Sequence, residues 1–313
     1  MKNPDKESKF IGCVLGVAVA DSLGSFFEGS FHVDPEKVER TAELNRFSYT
    51  DDTHMTIGVA ESLIQSKGFE AQNMANTFIK NYELEPYRGY GPGPPNVFKM
   101  IRQEMSWKDL DKLLYPGGSF GNGSAMRVAP IGLLYHENPM KLREVAYESS
   151  RITHSHKLGA EAAALQAYAV ALAVNEEPFE KLQPALYLEK LMAFTENSVY
   201  SRKLELTQKL LNENTSQSKV ALELGNSIEA FNSVPAAIYS FLAKHESFKE
   251  SVMYAISLGG DTDTIGAMTG AIAGAYHGFE SIPNEWTQKL ENRGYLEELG
   301  HRLWKIKNST RPR

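Results

Sequence analysis

The apolar residues of this sequence recur at helical spacing, and no segment alternates polar and apolar side chains convincingly. Between Leu158 and Leu172, apolar residues are separated by four, three, four and three positions, which places them on one face of a helix. Met55 and Val59 begin a second such stripe, and Phe10 begins a third that we expect to be buried. The pattern predicts an all-α fold. Further helices are predicted over 70–81, 95–105, 124–136, 140–153, 179–195, 198–212, 234–244, 247–257, 263–277 and 285–307.

The chain of 313 residues is long enough for two ordinary domains. However, no long flexible linker and no internal repeat divides it. The polar residues 212–219 indicate a surface loop, and residues 176–184 indicate another connection. We therefore predict a single domain over residues 1–313, with short flexible tails.

Composition excludes several classes of protein. With 42% hydrophobic and 23% charged residues, the chain has the composition of a globular protein. Its net charge of −6 argues against nucleic-acid binding. A single cysteine, Cys13, excludes an intramolecular disulfide and suits a reducing compartment, so we expect a cytoplasmic protein. We also expect a monomer. No apolar segment follows the N-terminus, and the apolar stretch 265–276 is too short to span a bilayer, so we expect no membrane partner.

Two clusters of acidic and hydroxyl residues each lie where a helix should begin. They are Thr50-Asp51-Asp52-Thr53 and Asp261-Thr262-Asp263-Thr264. One interpretation is helix capping, since Asp and Thr are favoured at helix N-termini. The other is a shared site for hard divalent cations such as Mg²⁺ or Mn²⁺, which prefer carboxylate and hydroxyl oxygens. Four adjacent carboxylates would repel one another strongly unless cations or protons offset their charge.

Two glycine-rich segments, 89–95 and 117–123, have no helical period, and each is followed by a predicted helix. Glycine and proline here are typical of turns and helix ends. Alternatively, glycine allows backbone N–H groups to approach phosphate oxygens, and a following helix N-terminus favours an anion. Such a loop would let an acidic protein hold a small anionic ligand.

Six segments, in this order and nearly end to end, resemble the ADP-ribosylglycohydrolase family. The nearest resemblance is to the subgroup that removes ADP-ribose from serine, because of SFFEG and SFGNGSAMRVAPIGL. The segments are GCVLGVAVADSLGSFFEG at 12–29, YTDDTHMTIGVAESL at 49–63, YGPGPPNVF at 90–98, GGSFGNGSAMRVAPIGLLY at 117–135, RITHSHKLGAEAAALQAYAVA at 151–171 and LGGDTDTIGAMTGAIAGAYHG at 258–278.

The resemblance implies an all-α fold with a two-magnesium cleft, Mn²⁺ being the alternative metal. It implies that Glu28 is the catalytic acid or base, although the following Gly29-Ser30-Phe31 departs from the family pattern. It does not use His54 as a ligand. Arg127 could anchor a carboxylate or line the cleft, and we assign it no role. The implied metal ligands are Thr50, Asp51, Asp52, Asp261, Asp263 and Thr264. The implied ligand contacts are Tyr90, Gly91, Gly93, Ser119, Phe120, Gly121, Asn122, Gly123 and His154.

The resemblance also implies that the partners are ADP-ribose and ADP-ribosylated proteins. We expect hydrolysis of ADP-ribose from serine, with polymers or O-acetyl-ADP-ribose as further substrates. The alternatives are hydrolysis of the arginine-linked bond, a non-catalytic ADP-ribose-binding protein, and a phosphohydrolase that cuts the pyrophosphate. All six implied metal positions and Glu28 are intact, which favours an enzyme.

Overall fold

A computed structural model describes residues 3–178, 182–213 and 215–309, and helices dominate these ranges. Within them, β-type pairing is confined to isolated bridges between Phe47 and Leu290 and between Gly121 and Glu229. The all-α prediction is therefore confirmed. The helices are α1 Lys6–Gly24, α2 Pro35–Leu44, α3 Asp51–Ser66, α4 Ala71–Leu84, α5 Gly93–Arg102, α6 Ala129–Leu134, α7 Pro139–Ser150, α8 Lys157–Asn175, α9 Pro184–Phe194, α10 Ser198–Asn212, α11 Gln217–Leu224, α12 Ala230–Ala243, α13 Phe248–Ser257, α14 Thr262–His277, α15 Asn284–Lys289 and α16 Arg293–Ser309.

Helices α1 and α14 form the centre of the fold, and glycines let their backbones touch. A Cβ added to Gly270 would lie 2.1 Å from the Gly16 carbonyl oxygen, and one added to Gly274 would lie 2.0 Å from that of Gly12. The two helices are antiparallel, so the end of α1 lies beside the start of α14. There the Thr262 hydroxyl donates to the Gly24 carbonyl at 2.8 Å. This packing places the residues that follow α1 next to the second acidic cluster.

Two segments, Lys6–Phe27 and Lys157–Asn175, are long and apolar enough to cross a membrane by length and composition. The first lies near the N-terminus, so the expectation that no apolar segment follows the N-terminus was wrong. In each, 83% of the most apolar window is buried inside the fold. The central helices of a globular protein pass the same test, so these segments are weak evidence for membrane insertion.

Most helices predicted from periodicity are present, but several boundaries differ. The predicted helix 124–136 is shorter, because residues 122–124 form a 3₁₀ turn and α6 begins at Ala129. The predicted helix 285–307 is divided in two, since Asn292 adopts a left-handed conformation (φ 52°) between α15 and α16. The first residues of the predicted helix 179–195 lie outside the described ranges, and α9 begins at Pro184.

Two predictions of non-helical structure were wrong or incomplete. Residues 217–219, predicted as loop, begin α11, where Val220 and Leu224 are buried four residues apart. Helix α2 was not predicted at all, because only Val38 and Ala42 on it are buried and most of its other residues are polar. Such a small apolar face gives little periodic signal.

Candidate active site

The two acidic clusters meet in one cleft of about 270 Å³, together with Glu28 and both glycine-rich segments. The helix N-termini of α3 and α14 supply the clusters, and the loop after α1 supplies Glu28. The cleft is lined by Glu28, Thr50, Asp51, Asp52, Met55, Gly89, Gly91, Pro92, Gly93, Pro94, Tyr115, Ser119, Gly121, Asn122, Gly123, Met126, Arg127, Thr153, His154, Ile228, Asp261, Asp263 and Thr264.

The first cluster caps α3 and faces the cleft at the same time. Thr50 is the N-cap, and its hydroxyl oxygen accepts from the Asp52 N–H at 3.3 Å. Asp52 is buried, and its Oδ1 has no partner among the described residues. The two interpretations of this cluster are therefore compatible, because the hydroxyl serves as cap while a buried carboxylate oxygen is left for a ligand.

Asp21 holds this cluster in place, and the sequence analysis missed it. Its carboxylate, buried in α1, accepts from the Thr50 N–H at 3.0 Å and the Thr50 hydroxyl at 2.8 Å. It also accepts from the Thr53 N–H at 3.0 Å and the Thr53 hydroxyl at 2.5 Å. The available signal was a lone aspartate within the apolar run of α1, because a charge in such a helix requires partners when buried.

The second cluster is positioned by a glycine turn and by an amide side chain. Gly260 has φ +76°, and a Cβ there would lie 2.0 Å from the Asn226 carbonyl oxygen, so only glycine fits. The Asp261 N–H donates to that same oxygen at 2.8 Å. The Asn122 amide then donates to Asp261 Oδ2 at 2.5 Å, and the Thr264 N–H donates to Asp263 Oδ1 at 2.9 Å.

Glu28 reaches the second cluster because its loop is bonded to the same glycine turn. The Gly29 N–H donates to the Gly260 carbonyl at 2.8 Å, and the Gly260 N–H donates to the Ser30 carbonyl at 2.8 Å. As a result, carboxylate oxygens of Glu28, Asp261 and Asp263 all lie within 4.8 Å of one another. Glu28 is exposed, whereas the two aspartates are buried. This arrangement leaves the Glu28 carboxylate accessible from the mouth of the cleft.

Burial and mutual repulsion favour the protonated forms of the clustered carboxyl groups. Burial, followed by the charge of Asp21, raises the pKa of Asp51 to about 7. Burial, followed by the charge of Asp261, raises the pKa of Asp263 to about 9. Burial and the charge of Asp263 likewise raise the pKa of Asp52. Hard oxygen donors, crowded charge and the orphaned Asp52 oxygen together fit a site for divalent cations.

The second glycine-rich segment is fixed by Asp111, which the sequence analysis also missed. Buried Asp111 accepts from the Ser119 and Ser155 N–H groups, both at 2.7 Å. The Gly121 N–H donates to the Ser119 hydroxyl at 3.3 Å, and the Asn122 N–H donates to the Ile228 carbonyl at 3.0 Å. Three backbone N–H groups of the proposed phosphate loop are thus already engaged within the chain.

Two predicted contacts, Tyr90 and Phe120, are not among the residues that line the cleft. The Tyr90 hydroxyl lies 2.8 Å from His54 Nδ1, and its ring packs edge-on against Tyr82 at 5.1 Å between centroids. His54 therefore supports Tyr90. Phe120 is partly exposed and packs against His156 and Phe231.

Buried His154 lines the cleft, as does Arg127, for which anchoring a carboxylate and lining the cleft were both left open. The Thr153 hydroxyl lies 2.8 Å from His154 Nδ1, and Arg127 Nη1 donates to that hydroxyl at 2.8 Å. Arg127 Nη2 donates to the Ser149 carbonyl at 3.1 Å, and the guanidinium lies 4.7 Å from the Phe78 ring centroid.

The chain is similar to known proteins over almost its whole length. ADP-ribosylhydrolase ARH3 of Homo sapiens is 36% identical, with 96% of this chain and 93% of that protein covered. An uncharacterised protein of Archaeoglobus fulgidus is 33% identical, with 96% and 97% covered. A solved structure described as an ADP-ribosylglycohydrolase-related protein complex superimposes with a TM-score of 0.76 at 25% identity, covering 97% of this chain and 99% of that one. Residues 2–313 match the ADP-ribosylglycohydrolase family, to which this chain therefore belongs.

Proposed function

We propose that this protein is a Mg²⁺-dependent hydrolase that removes ADP-ribose from modified side chains, with the serine O-linked adduct as its principal substrate. ADP-ribosylhydrolase activity follows from the family and from relatives named ADP-ribosylhydrolase ARH3. The observation that carries the proposal is the meeting of Glu28, Asp261 and Asp263 within 4.8 Å, in a cleft that also contains the first acidic cluster. The SFFEG and SFGNGSAMRVAPIGL segments support the serine linkage.

Six of the eight residues of the two clusters would hold two Mg²⁺ ions, with Mn²⁺ as the alternative. Their oxygens are hard donors, and their carboxyl groups are crowded enough to need compensating charge. When bound, such ions supply positive charge and polarise the oxygens that they ligate. The ligands proposed are Thr50, Asp51, Asp52, Asp261, Asp263 and Thr264.

Glu28 is the residue proposed to move a proton. Cleavage of the bond between the ribose anomeric carbon and the acceptor oxygen leaves negative charge on that oxygen. A carboxyl group at the mouth of the cleft can protonate the leaving oxygen or take a proton from the attacking water. Glycosidases commonly divide these tasks between two carboxyl groups. Of the neighbouring residues Glu28, Asp261 and Asp263, Glu28 is the exposed one. Asn122 holds Asp261 oriented by donating to it.

The pyrophosphate of ADP-ribose is proposed to lie along the second glycine-rich segment. Since the N–H groups of Ser119, Gly121 and Asn122 bond within the chain, binding would rely on other donors of this region. We propose the N–H groups of Phe120 and Gly123 and the His154 side chain. Gly91 and Gly93 also line the cleft, and without side chains they leave room for the ligand.

Two modified peptides test the proposal. The enzyme with Mg²⁺ is expected to release intact ADP-ribose and unmodified peptide from a serine-ADP-ribosylated peptide, and EDTA should stop the reaction. Faster release from an arginine-ADP-ribosylated peptide would favour the arginine-linked bond instead. AMP and ribose phosphate as products would indicate a phosphohydrolase. Binding of ADP-ribose without turnover of either peptide would indicate a non-catalytic protein.

A further inference from the structure

His154 turns one edge of its ring toward the glycine-rich loop of the cleft. A Cβ added to Gly123 would lie 2.9 Å from His154 Nε2, and one added to Gly121 would lie 3.5 Å from the same atom. Both glycines line the cleft beside His154. The other ring nitrogen, Nδ1, lies 2.8 Å from the Thr153 hydroxyl oxygen. The two nitrogens therefore face different partners. The position of the imidazole proton decides whether Nε2, on the cleft side, donates or accepts a hydrogen bond.

The hydrogen bonds of Thr153 determine where that proton lies. A guanidinium can only donate, so the Thr153 hydroxyl accepts from Arg127 Nη1 at 2.8 Å. The hydroxyl has one proton of its own, and Thr153 is buried. If His154 Nδ1 also donated to this oxygen, the hydroxyl proton would have no acceptor among the described residues. Donation from Thr153 to His154 Nδ1 satisfies both groups and places the imidazole proton on Nε2.

We propose that Arg127 and Thr153 are positioning residues that fix His154 as a neutral imidazole, with its Nε2–H directed at an anionic oxygen of the bound ligand. The identification of that oxygen with the ligand's pyrophosphate rests on the proposed function. The proton position itself rests only on the hydrogen bonds of the chain. A fixed donor on the cleft side would replace the backbone N–H groups that are engaged elsewhere.

The electrostatic environment supports a neutral His154. Burial, followed by the charge of Arg127, lowers the pKa of His154 to about 3. Arg127 is itself fully buried, and within the described ranges no carboxylate forms an ion pair with it and its Nε has no partner. Its anchors are the Thr153 hydroxyl, the Ser149 carbonyl and the face of Phe78. A buried cation held in this way is suited to orienting Thr153 and to favouring negative charge in the cleft.

The test combines imidazole NMR with ligand affinity. In ¹⁵N-histidine-labelled protein, with the His154 signals assigned by a His154→Gln variant, Nδ1 should be unprotonated and Nε2 protonated. Thr153→Val keeps the side-chain shape but removes the hydroxyl. It should give a mixture of tautomers and weaken ADP-ribose binding about tenfold, as loss of one charge-assisted hydrogen bond does. The conservative variant Thr153→Ser should restore both the tautomer and the affinity.

The outcomes separate this inference from the proposed function. A wild-type signal with the proton on Nδ1, or unchanged tautomer and affinity in Thr153→Val, would overturn the inference. If Thr153→Val does not fold, the wild-type spectrum alone decides the proton position. If the wild-type protein with Mg²⁺ binds no ADP-ribose, the proposed function fails together with the ligand role of His154. The spectrum would still show whether Arg127 and Thr153 fix the ring.

Discussion

The Asp21 carboxylate accepts hydrogen bonds from both the N–H and the hydroxyl of Thr53, although the two residues lie 32 positions apart on different helices. It accepts from the same two groups of Thr50. Between these two threonines lie Asp51 and Asp52. The orientation of the first acidic cluster is therefore set by α1, the helix that also carries Glu28 on the loop at its end.

Replacing Asp21 by Asn should weaken Mg²⁺ binding. An amide has one acceptor oxygen in place of two, and its NH₂ group would face the N–H donors of α3, so the cluster would lose its fixed geometry. Substitution of groups that orient metal ligands typically lowers affinity about 10–100-fold. Calorimetric titration with Mg²⁺ measures the change. Asp34→Asn, at the exposed N-cap of α2, is the matched control and should bind as the wild type does. Equal Mg²⁺ affinity in Asp21→Asn would contradict this role.

Replacing Glu28 by Gln should abolish turnover while ADP-ribose binding is retained. The variant keeps the size of the side chain but cannot exchange a proton, and acid–base groups of this kind contribute about 10²–10⁴-fold to rate. Single-turnover release of ADP-ribose and calorimetric binding should be measured on the same preparation. Glu36→Gln removes an equal charge from an exposed position on α2 and should leave the rate unchanged. Full activity in Glu28→Gln would remove this residue from the mechanism.

The sequence was sufficient to predict most of the helices and to place the two acidic clusters at helix starts, because both signals are local. Apolar spacing places a helix, and hydroxyl and carboxyl residues mark its start. The supporting residues could not be predicted in this way. Asp21 and Asp111 accept from backbone groups of other segments of the chain, and only the packed structure shows which N–H groups these are.

The orientation of the Tyr90 side chain is a second feature that could not be predicted from the sequence. The glycine-rich segment around Tyr90 lines the cleft. The Tyr90 ring, however, packs among Tyr82, Phe98 and His54 beneath the loop. An aromatic residue in such a loop can face the ligand or the core, and periodicity does not distinguish the two where there is no helix.

Replacing Gly270 by Ala should destabilise the fold. The new Cβ would lie 2.1 Å from the Gly16 carbonyl oxygen, which belongs to backbone and cannot rotate away, so α1 and α14 would have to separate. Overpacking of this kind costs about 1–3 kcal/mol in the free energy of unfolding. Gly294→Ala in α16 is the matched control, since nothing described lies within 4 Å of its Cβ and alanine favours a helix. Urea unfolding of both variants should give changes of opposite sign, and equal stabilities would contradict the close contact.

Acidification should destabilise the wild-type protein relative to a His136→Gln variant. Buried His136 has its Nδ1 2.8 Å from Asn175 Oδ1, and its Nε2 has no partner in the described part of the chain. Burial, followed by the charge of Lys6, lowers its pKa to about 4. At pH values between about 4 and the ordinary histidine pKa of about 6.5, the unfolded chain binds a proton at His136 that the folded chain does not. The free energy of unfolding therefore falls as pH falls through this range.

The size of this effect follows from the same linkage. Between pH 7 and pH 5, the free energy of unfolding of the wild type should fall by about 2 kcal/mol more than that of His136→Gln. Carboxyl groups that titrate in both proteins cancel in this difference. Urea unfolding of the two proteins at both pH values, at one Mg²⁺ concentration, measures it. Parallel changes in the two proteins would mean that His136 accepts a proton in the folded state, and that its Nε2 finds a partner on protonation.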